Sequence, residues 1–346
     1  MADTTSKLRT RTKLFYGIGD LGNALVNSAI QFFLMKFYTD AALILPALAG
    51  NALLIGKIWD AVNDPLFGWI TDKTKSRFGK RRVFMIFGAI PLGISIALLW
   101  FVPKADLIST FIWIAATFIL FDTLWTLTNV PYYSLTSELT DDYDERSSLT
   151  TYRMVMAVPA YLIGVALTPV IVGLFALQRT GYAFIGILYG IIAAVVLLVS
   201  AAGLRERKDL VTAKPETSPL KSLLIAIKNK PFVKLCGIYF IINISFAFIK
   251  ILMAYYIEYQ LLMKAETSLV MGLMLVCVTL SLPFWQWVSR KIDKGPAYGL
   301  GMLVGGAAVV LTFFLPHHST MLIYLIAVLA GFGFSAQWIF PWAMVA

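Results

Sequence analysis

The chain has 346 residues, of which 59% are hydrophobic and only 14% are Asp, Glu, Lys or Arg; 29 basic and 19 acidic side chains give a net charge of +10. Soluble domains average about 25% charged residues, so too few charges are present to clothe a water-soluble surface. A soluble enzyme, a secreted disulfide scaffold and a disordered chain are excluded, and what remains is an all-α polytopic membrane protein whose spans each need about 20 mostly apolar residues.

Ten apolar segments follow in chain order, too long and too continuous for barrel strands. Residues 1–13 are polar and basic, and the run 14–39 lacks a small-residue cleavage site, which marks it as a retained first helix. Asp20 lies near its inner end, within reach of a basic loop. Lys36 lies near its outer end, where lysines snorkel to the interface.

The second segment, 47–71, has its midpoint at residue 59 and contains Gly56-Lys57-Ile58-Trp59-Asp60-Ala61-Val62-Asn63-Asp64-Pro65. At 100° per residue, Lys57, Asp60 and Asp64 fall within an arc of roughly 60°. Each such charge costs about 2.5–3.5 kcal/mol at mid-membrane, so the stripe is expected to face a hydrated cavity or partner charges. Two carboxylates one turn apart, with the Asn63 amide oxygen beside them, suit a small hard cation such as Na⁺; alternatively one carboxylate holds a proton because its neighbour raises its pKa. A purely structural alternative is a buried Lys57–Asp60 ion pair, with Asp64 capping a bend before Pro65.

Segment 83–102 is apolar. Segment 108–137 carries Asp122, Thr126 and Asn129 at i, i+4 and i+7, followed by Pro131-Tyr132-Tyr133. Amides and hydroxyls bond a hydroxyl-bearing solute while rings stack on its apolar faces; hydrogen bonding between helices accounts for the same residues. Segments 152–176 and 181–203 complete a six-helix bundle over residues 1–204, and Arg153 at the start of the former is placed to reach the cavity.

Residues 205–231, with Pro215 and Pro219, form the longest polar stretch and read as a linker. A partial bundle of four helices follows over 232–346, in segments 232–259, 267–289, 297–316 and 320–346. Lys250, near the centre of the first of these, is a candidate counter-charge for a carboxylate of the second segment. Cys236 and Cys277 sit in apolar runs and are expected as small buried core residues rather than disulfide partners. His317 and His318 fall in an outer loop, away from any proton relay. The chain stops at Ala346 inside an apolar run, as expected of a twelve-helix protein shortened by two helices.

Basic residues gather at 7–13, 73–82, 146, 205–230 and 290–294, whereas the opposite loops hold Lys104, Arg179 and Lys264. The bias alternates through all ten segments and predicts a cytoplasmic N-terminus. The bases are dispersed among loops, so nucleic acid is not an expected partner. Short basic loops after the second and eighth segments echo one another, and two related halves joined by a long inner loop is the plan of major facilitator transporters. No metal-ligand cluster, nucleophile elbow or Walker loop occurs, which argues against an enzyme or an ATP-driven pump and leaves coupling to an ion gradient.

In Tyr16-Gly17-Ile18-Gly19-Asp20, Phe37-Tyr38-Thr39-Asp40, Ile58 to Gly68, Ser76-Arg77-Phe78-Gly79-Lys80-Arg81-Arg82 and Asn129-Val130-Pro131-Tyr132, the chain resembles the glycoside–pentoside–hexuronide:cation symporter family. The resemblance runs from Lys13 to Ala346. It implies a major facilitator fold with alternating access in the cytoplasmic membrane. It also implies symport, by a monomer, of a sugar, glycoside, pentoside or hexuronide with Na⁺, Li⁺ or H⁺, and no bound cofactor. By this likeness Asp60, Asp64, Asn63 and Thr126 are the cation residues, Asp60 and Asp64 ligating Na⁺ in a sodium-coupled form. Asn129, Tyr133, Arg153 and Trp338 match solute-lining positions, to which Asp122 and Lys250 are added from their placement. Lys57 replaces an Arg, and Ala24 and Asn129 stand where galactoside carriers have Asp, which points towards a pentoside, a hexuronide or another polyol. Some relatives carry lipid-like solutes, so a lipid-like cargo is the alternative on the same fold; a non-transporting membrane protein is the third.

Overall fold

Ten long helices form among the residues that the computed structural model describes, namely 8–140, 142–206, 228–263, 266–316 and 319–345. They are α1 (Thr10–Ala29), α2 (Pro46–Lys73), α3 (Arg82–Leu99), α4 (Leu107–Leu139), α5 (Tyr143–Gly173), α6 (Gln178–Gly203), α7 (Lys230–Tyr255), α8 (Thr267–Ile292), α9 (Lys294–Thr312) and α10 (Thr320–Val345). Seven of them, α3 to α6 and α8 to α10, contain windows long and apolar enough to cross a membrane. The stripe of Lys57, Asp60 and Asp64 keeps α2 below that threshold.

The helices divide into two compact units, Met1–Pro215 and Glu216–Ala346. Residues 207–227 of the expected linker, together with Lys264, His317 and His318, lie outside the described residues. α5 starts at Tyr143, well before the apolar run, because Asp142 caps it by accepting from the Glu145 N–H at 2.9 Å. Apolarity marks the span of a helix, and the cap marks its end. The cysteines differ from expectation: Cys236 is exposed and Cys277 half-buried, since an apolar run in a membrane helix serves lipid-facing positions as well as core ones.

In the first unit α1 lies against α5 and α6, α3 against α4 and α6, and α2 against α4. α3 and α6 meet through glycines, for a methyl group on Gly190 would stand 2.3 Å from the Gly93 carbonyl oxygen. Such close approach is how membrane helices gain contact without a hydrophobic driving force. Trp100 stacks on Tyr182 with centroids 5.4 Å apart, and Phe37 packs against both. Ile187, Ile191 and Val195 on α6 are more than half exposed, as a lipid-facing stripe requires.

Where α2 and α4 finish, a polar network binds four helices. Arg81 donates to Glu138 (2.9 Å), Thr71 (2.7 Å) and Asp72 (2.6 Å). Glu206, just beyond α6, accepts the backbone N–H groups of Lys80, Arg81 and Arg82 at 2.5, 2.8 and 2.8 Å. A carboxylate at the N-terminus of α3 satisfies otherwise orphaned donors and faces the positive end of the helix dipole. The chain makes room for it at Gly79, whose φ of +109° favours glycine and whose Cβ would meet Glu206 at 2.6 Å.

In the second unit α10 packs on α8 and α9. One core cluster contains Ile257, Met274, Ile323, Ala327 and Phe334, and another Trp285, Tyr298 and Phe340. The ends of α1 and α7 repeat each other. α1 continues through π-helical turns at Ile30–Leu34 and Phe37–Ala41, and α7 through one at Tyr256–Gln260. After the turn, Ala42 and Ile44 donate to the carbonyls of Phe37 and Tyr38, as Leu261 and Met263 do to those of Tyr256 and Ile257. A leucine then takes the left-handed conformation in each, Leu43 at φ 58° and Leu262 at φ 57°.

Candidate functional site

The charged stripe of α2 faces the polar stripe of α4. Lys57 Nζ lies 3.1 Å from Asp60 Oδ2 and 3.7 Å from Asp122 Oδ1. Thr126 donates its hydroxyl to Asp64 Oδ1 at 2.9 Å, and Trp59 Nε1 donates to Thr123 at 2.8 Å. The counter-charge for Asp60 is thus Lys57 on the same helix; the side chain of Lys250, the expected candidate, lies outside the described residues. Asp64 is held by Thr126 from the facing helix rather than capping a bend.

Asn63 is fully buried on α2 and donates through Nδ2 to the Asp122 main-chain oxygen (3.2 Å) and to Asp122 Oδ2 (3.4 Å). These acceptors fix the amide orientation. They leave Asn63 Oδ1 buried with no hydrogen-bond partner among the described residues. A buried polar atom left unsatisfied costs about 1–3 kcal/mol. A carbonyl oxygen in that position is a ready ligand for a hard cation.

Asp60, Asp64, Asp122, Thr126, Asn129 and Tyr133 line one cavity of about 390 Å³ within the first unit. Phe118, Phe121 and Trp125 supply ring faces, and Asn27 and Gln31 bring amides from the α1 side. Those two amides were not singled out from the sequence. Gln31 donates to Asn27 at 2.7 Å and accepts from Tyr161 at 3.0 Å. The spacing of Asn23, Asn27 and Gln31, four residues apart on one face of α1, is the signal that would have found them.

A second polar cluster joins α1, α4 and α5. Arg153 Nε lies 3.1 Å from Asp20 Oδ2, and the Tyr133 hydroxyl donates to Asp20 Oδ1 at 3.3 Å. The Arg153 guanidinium also stands over the Tyr133 ring, 4.8 Å from its centroid. Asp20 therefore pairs with α5 rather than with a loop. Tyr133 touches this ion pair and also lines the cavity. Asn129 accepts from Asn23 and donates to the Trp125 carbonyl at 3.1 Å, so part of its capacity serves helix–helix bonding. Trp338 belongs to the second unit, on α10, and is 40% exposed.

Among the described residues no three His, Cys, Asp or Glu side chains are grouped to hold a metal ion. The donors near Asp60 and Asp64 are carboxylate, amide and hydroxyl oxygens, the ligand types that hard cations take.

Residues 15–346 match the family model described as MFS/sugar transport protein. The chain is 27% identical over 427 residues to an uncharacterized symporter of Synechocystis, an alignment covering 99% of this chain and 78% of that protein. It is 27% identical over 378 residues to the sodium-dependent lysophosphatidylcholine symporter 1 of Xenopus tropicalis, covering 98% of this chain and 71% of that one. A sphingosine-1-phosphate transporter of the same frog is 28% identical over 376 residues, with 98% and 72% covered.

Proposed function

Because the chain belongs to the MFS/sugar transport protein family, and so is an integral membrane transporter rather than an enzyme, we propose that it is a symporter coupling Na⁺ entry to uptake of a polyhydroxylated solute of the sugar class. One observation carries the reading. The α2 stripe borders a cavity of about 390 Å³, and Asn63 on the same helix has a buried Oδ1 with no hydrogen-bond partner among the described residues. Intramembrane charges cost about 2.5–3.5 kcal/mol each, and a cation that binds and leaves in each cycle gives them a use.

Asp60 and Asp64 act as the cation carboxylates in this reading, with Thr126 and Asn63 supporting them. Asn63 favours Na⁺ over H⁺ in coupling, since a neutral carbonyl ligates a metal ion but holds no proton at neutral pH. The solute occupies the same cavity beside Asn129 and Tyr133, where amides and hydroxyls bond its hydroxyls and the aromatic rings cover its apolar faces. Arg153 supports Tyr133 through the contact over its ring, and Trp338 and Lys250 are further solute residues in this reading. The protein works as a monomer in the cytoplasmic membrane with its N-terminus inside, by alternating access.

The test is uptake by vesicles containing the protein, under imposed Na⁺ or H⁺ gradients, with a panel of labelled pentoses, hexoses, glycosides and hexuronides. Accumulation of at least one that collapses when the Na⁺ gradient is abolished is the expected result. A lysolipid cargo is the second reading, because relatives are named for lysophosphatidylcholine and sphingosine-1-phosphate. Including a lysophospholipid in the panel decides between them: uptake of that compound and of no sugar overturns the sugar reading while leaving the coupling intact.

A further inference from the structure

Lys57 stands between two carboxylates of different character. Asp60 sits one turn along the same helix with its side chain 33% exposed, whereas Asp122, across on α4, is 4% exposed. Asp122 is held in place by Asn63, whose Nδ2 reaches its side chain and its main-chain oxygen. Lys57 itself is 60% exposed and retains the freedom of its four-carbon stem. Its ammonium bridges the two carboxylates, 3.1 Å from Asp60 and 3.7 Å from Asp122.

A cation arriving at Asp60 and Asp64 therefore meets a positive charge already seated on one of its ligands. If Lys57 had no second partner, a bound cation would leave its ammonium beside another positive charge with no carboxylate of its own, an electrostatic penalty. Asp122 removes that penalty. It already pairs with Lys57 at 3.7 Å, and among the described residues it belongs to no group of three His, Cys, Asp or Glu that could hold a metal.

We propose that Asp122 is a positioning residue for cation coupling: it takes over the Lys57 ammonium when a cation occupies Asp60 and Asp64. Without a bound cation Lys57 is shared between Asp60 and Asp122; with one bound it rests on Asp122 alone. The same carboxylate holds the Asn63 amide whose Oδ1 is unpaired, so one side chain prepares two neighbours of the cation site. Asp122, which its place on α4 had grouped with the solute residues, thereby acts on the ion through Lys57. The proposal rests on the assignment of Asp60 and Asp64 to the cation.

Equilibrium binding of ²²Na⁺ to the purified protein tests it with no solute present. Asp64→Asn must abolish specific binding; if it does not, the cation assignment itself fails, whatever Asp122 does. Given that loss, Asp122→Asn is expected to weaken Na⁺ binding about tenfold and Asp122→Glu to restore it to within about twofold. Lys57→Gln removes the competitor and tightens binding, a result that does not depend on the Asp122 variants folding. In the Lys57→Gln background, Asp122→Asn changes affinity by less than about twofold. An equal tenfold loss in that background would mean that Asp122 attracts the ion by its own charge, and the proposal would be overturned. Weaker binding by Lys57→Gln alone would overturn it as well.

Discussion

α2 and α8 are the same helix built twice with different interiors. Pro65, Trp69 and Lys73 on α2 are matched in spacing by Pro283, Trp287 and Lys291 on α8. In each, the lysine ammonium lies over the tryptophan ring, 3.9 Å from its centroid on α2 and 4.0 Å on α8. In that register Lys57, Asp60 and Asp64 correspond to Leu275, Val278 and Leu282. A helix with this proline and this cation–π clasp forms without any charge at its centre. The stripe on α2 is therefore no requirement of the frame, and a purely structural ion pair accounts for it poorly.

The largest effect should separate the two helices. Asp60→Asn or Asp64→Asn is expected to lower gradient-driven uptake about a hundredfold or more, as loss of a charged partner costing about 3 kcal/mol would. Ser281→Ala and Thr279→Val on α8 should leave it within about twofold. Equal losses from both helices in the vesicle assay would break the comparison.

Next comes the ion pair of the first unit. Asp20 and Arg153 are largely buried, so Asp20→Asn or Arg153→Gln alone leaves an uncompensated charge and should destabilise by about 3 kcal/mol. The double substitution should recover much of that loss. Thermal unfolding in detergent reads both, and additive losses would mean that the pair is not coupled.

A smaller effect should be common to the halves. Leu43 and Leu262 adopt left-handed conformations that cost a branched side chain about 1–2 kcal/mol. Leu43→Gly and Leu262→Gly should therefore each stabilise by about 0.5–1 kcal/mol after the added flexibility of the unfolded chain is counted. Opposite signs would show that the two turns are not equivalent.

The smallest effect lies at the edge of the first unit. Lys13 hydrogen-bonds Glu145 at 2.9 Å and, with the Leu8 N–H, holds the Glu145 carboxyl below its usual range. A depressed folded pKa means that the contact stabilises fully above the ordinary glutamate value and is lost as pH falls through the depressed one. Protection of amides at the start of α1, relative to their intrinsic exchange rates, should accordingly fall on acidification, and Glu145→Gln should remove that pH dependence.

Much of the frame was legible in the sequence because lipid demands long apolar runs. The α2 stripe stood out because charge is costly there. What remained hidden was partnership. Spacing assigns Asp122, Thr126 and Asn129 to one face of α4, but not which of them meets Lys57, Asp64 or Asn23. The Asp20–Arg153 pair joins residues far apart in the chain, and Glu206 caps a helix that begins more than a hundred residues before it. Arginine and glutamate at segment ends look like ordinary loop charges until the helices are assembled.

Glu206 has a consequence for how force travels through the molecule. It lies just beyond α6 and is pinned by three main-chain amides at the head of α3. Tension along the polypeptide from that direction would be delivered to α3 before it could unwind the last turn of α6. One carboxylate thus serves as an anchor bolt, and Glu206→Gln should slacken the mooring while leaving the helices themselves in place.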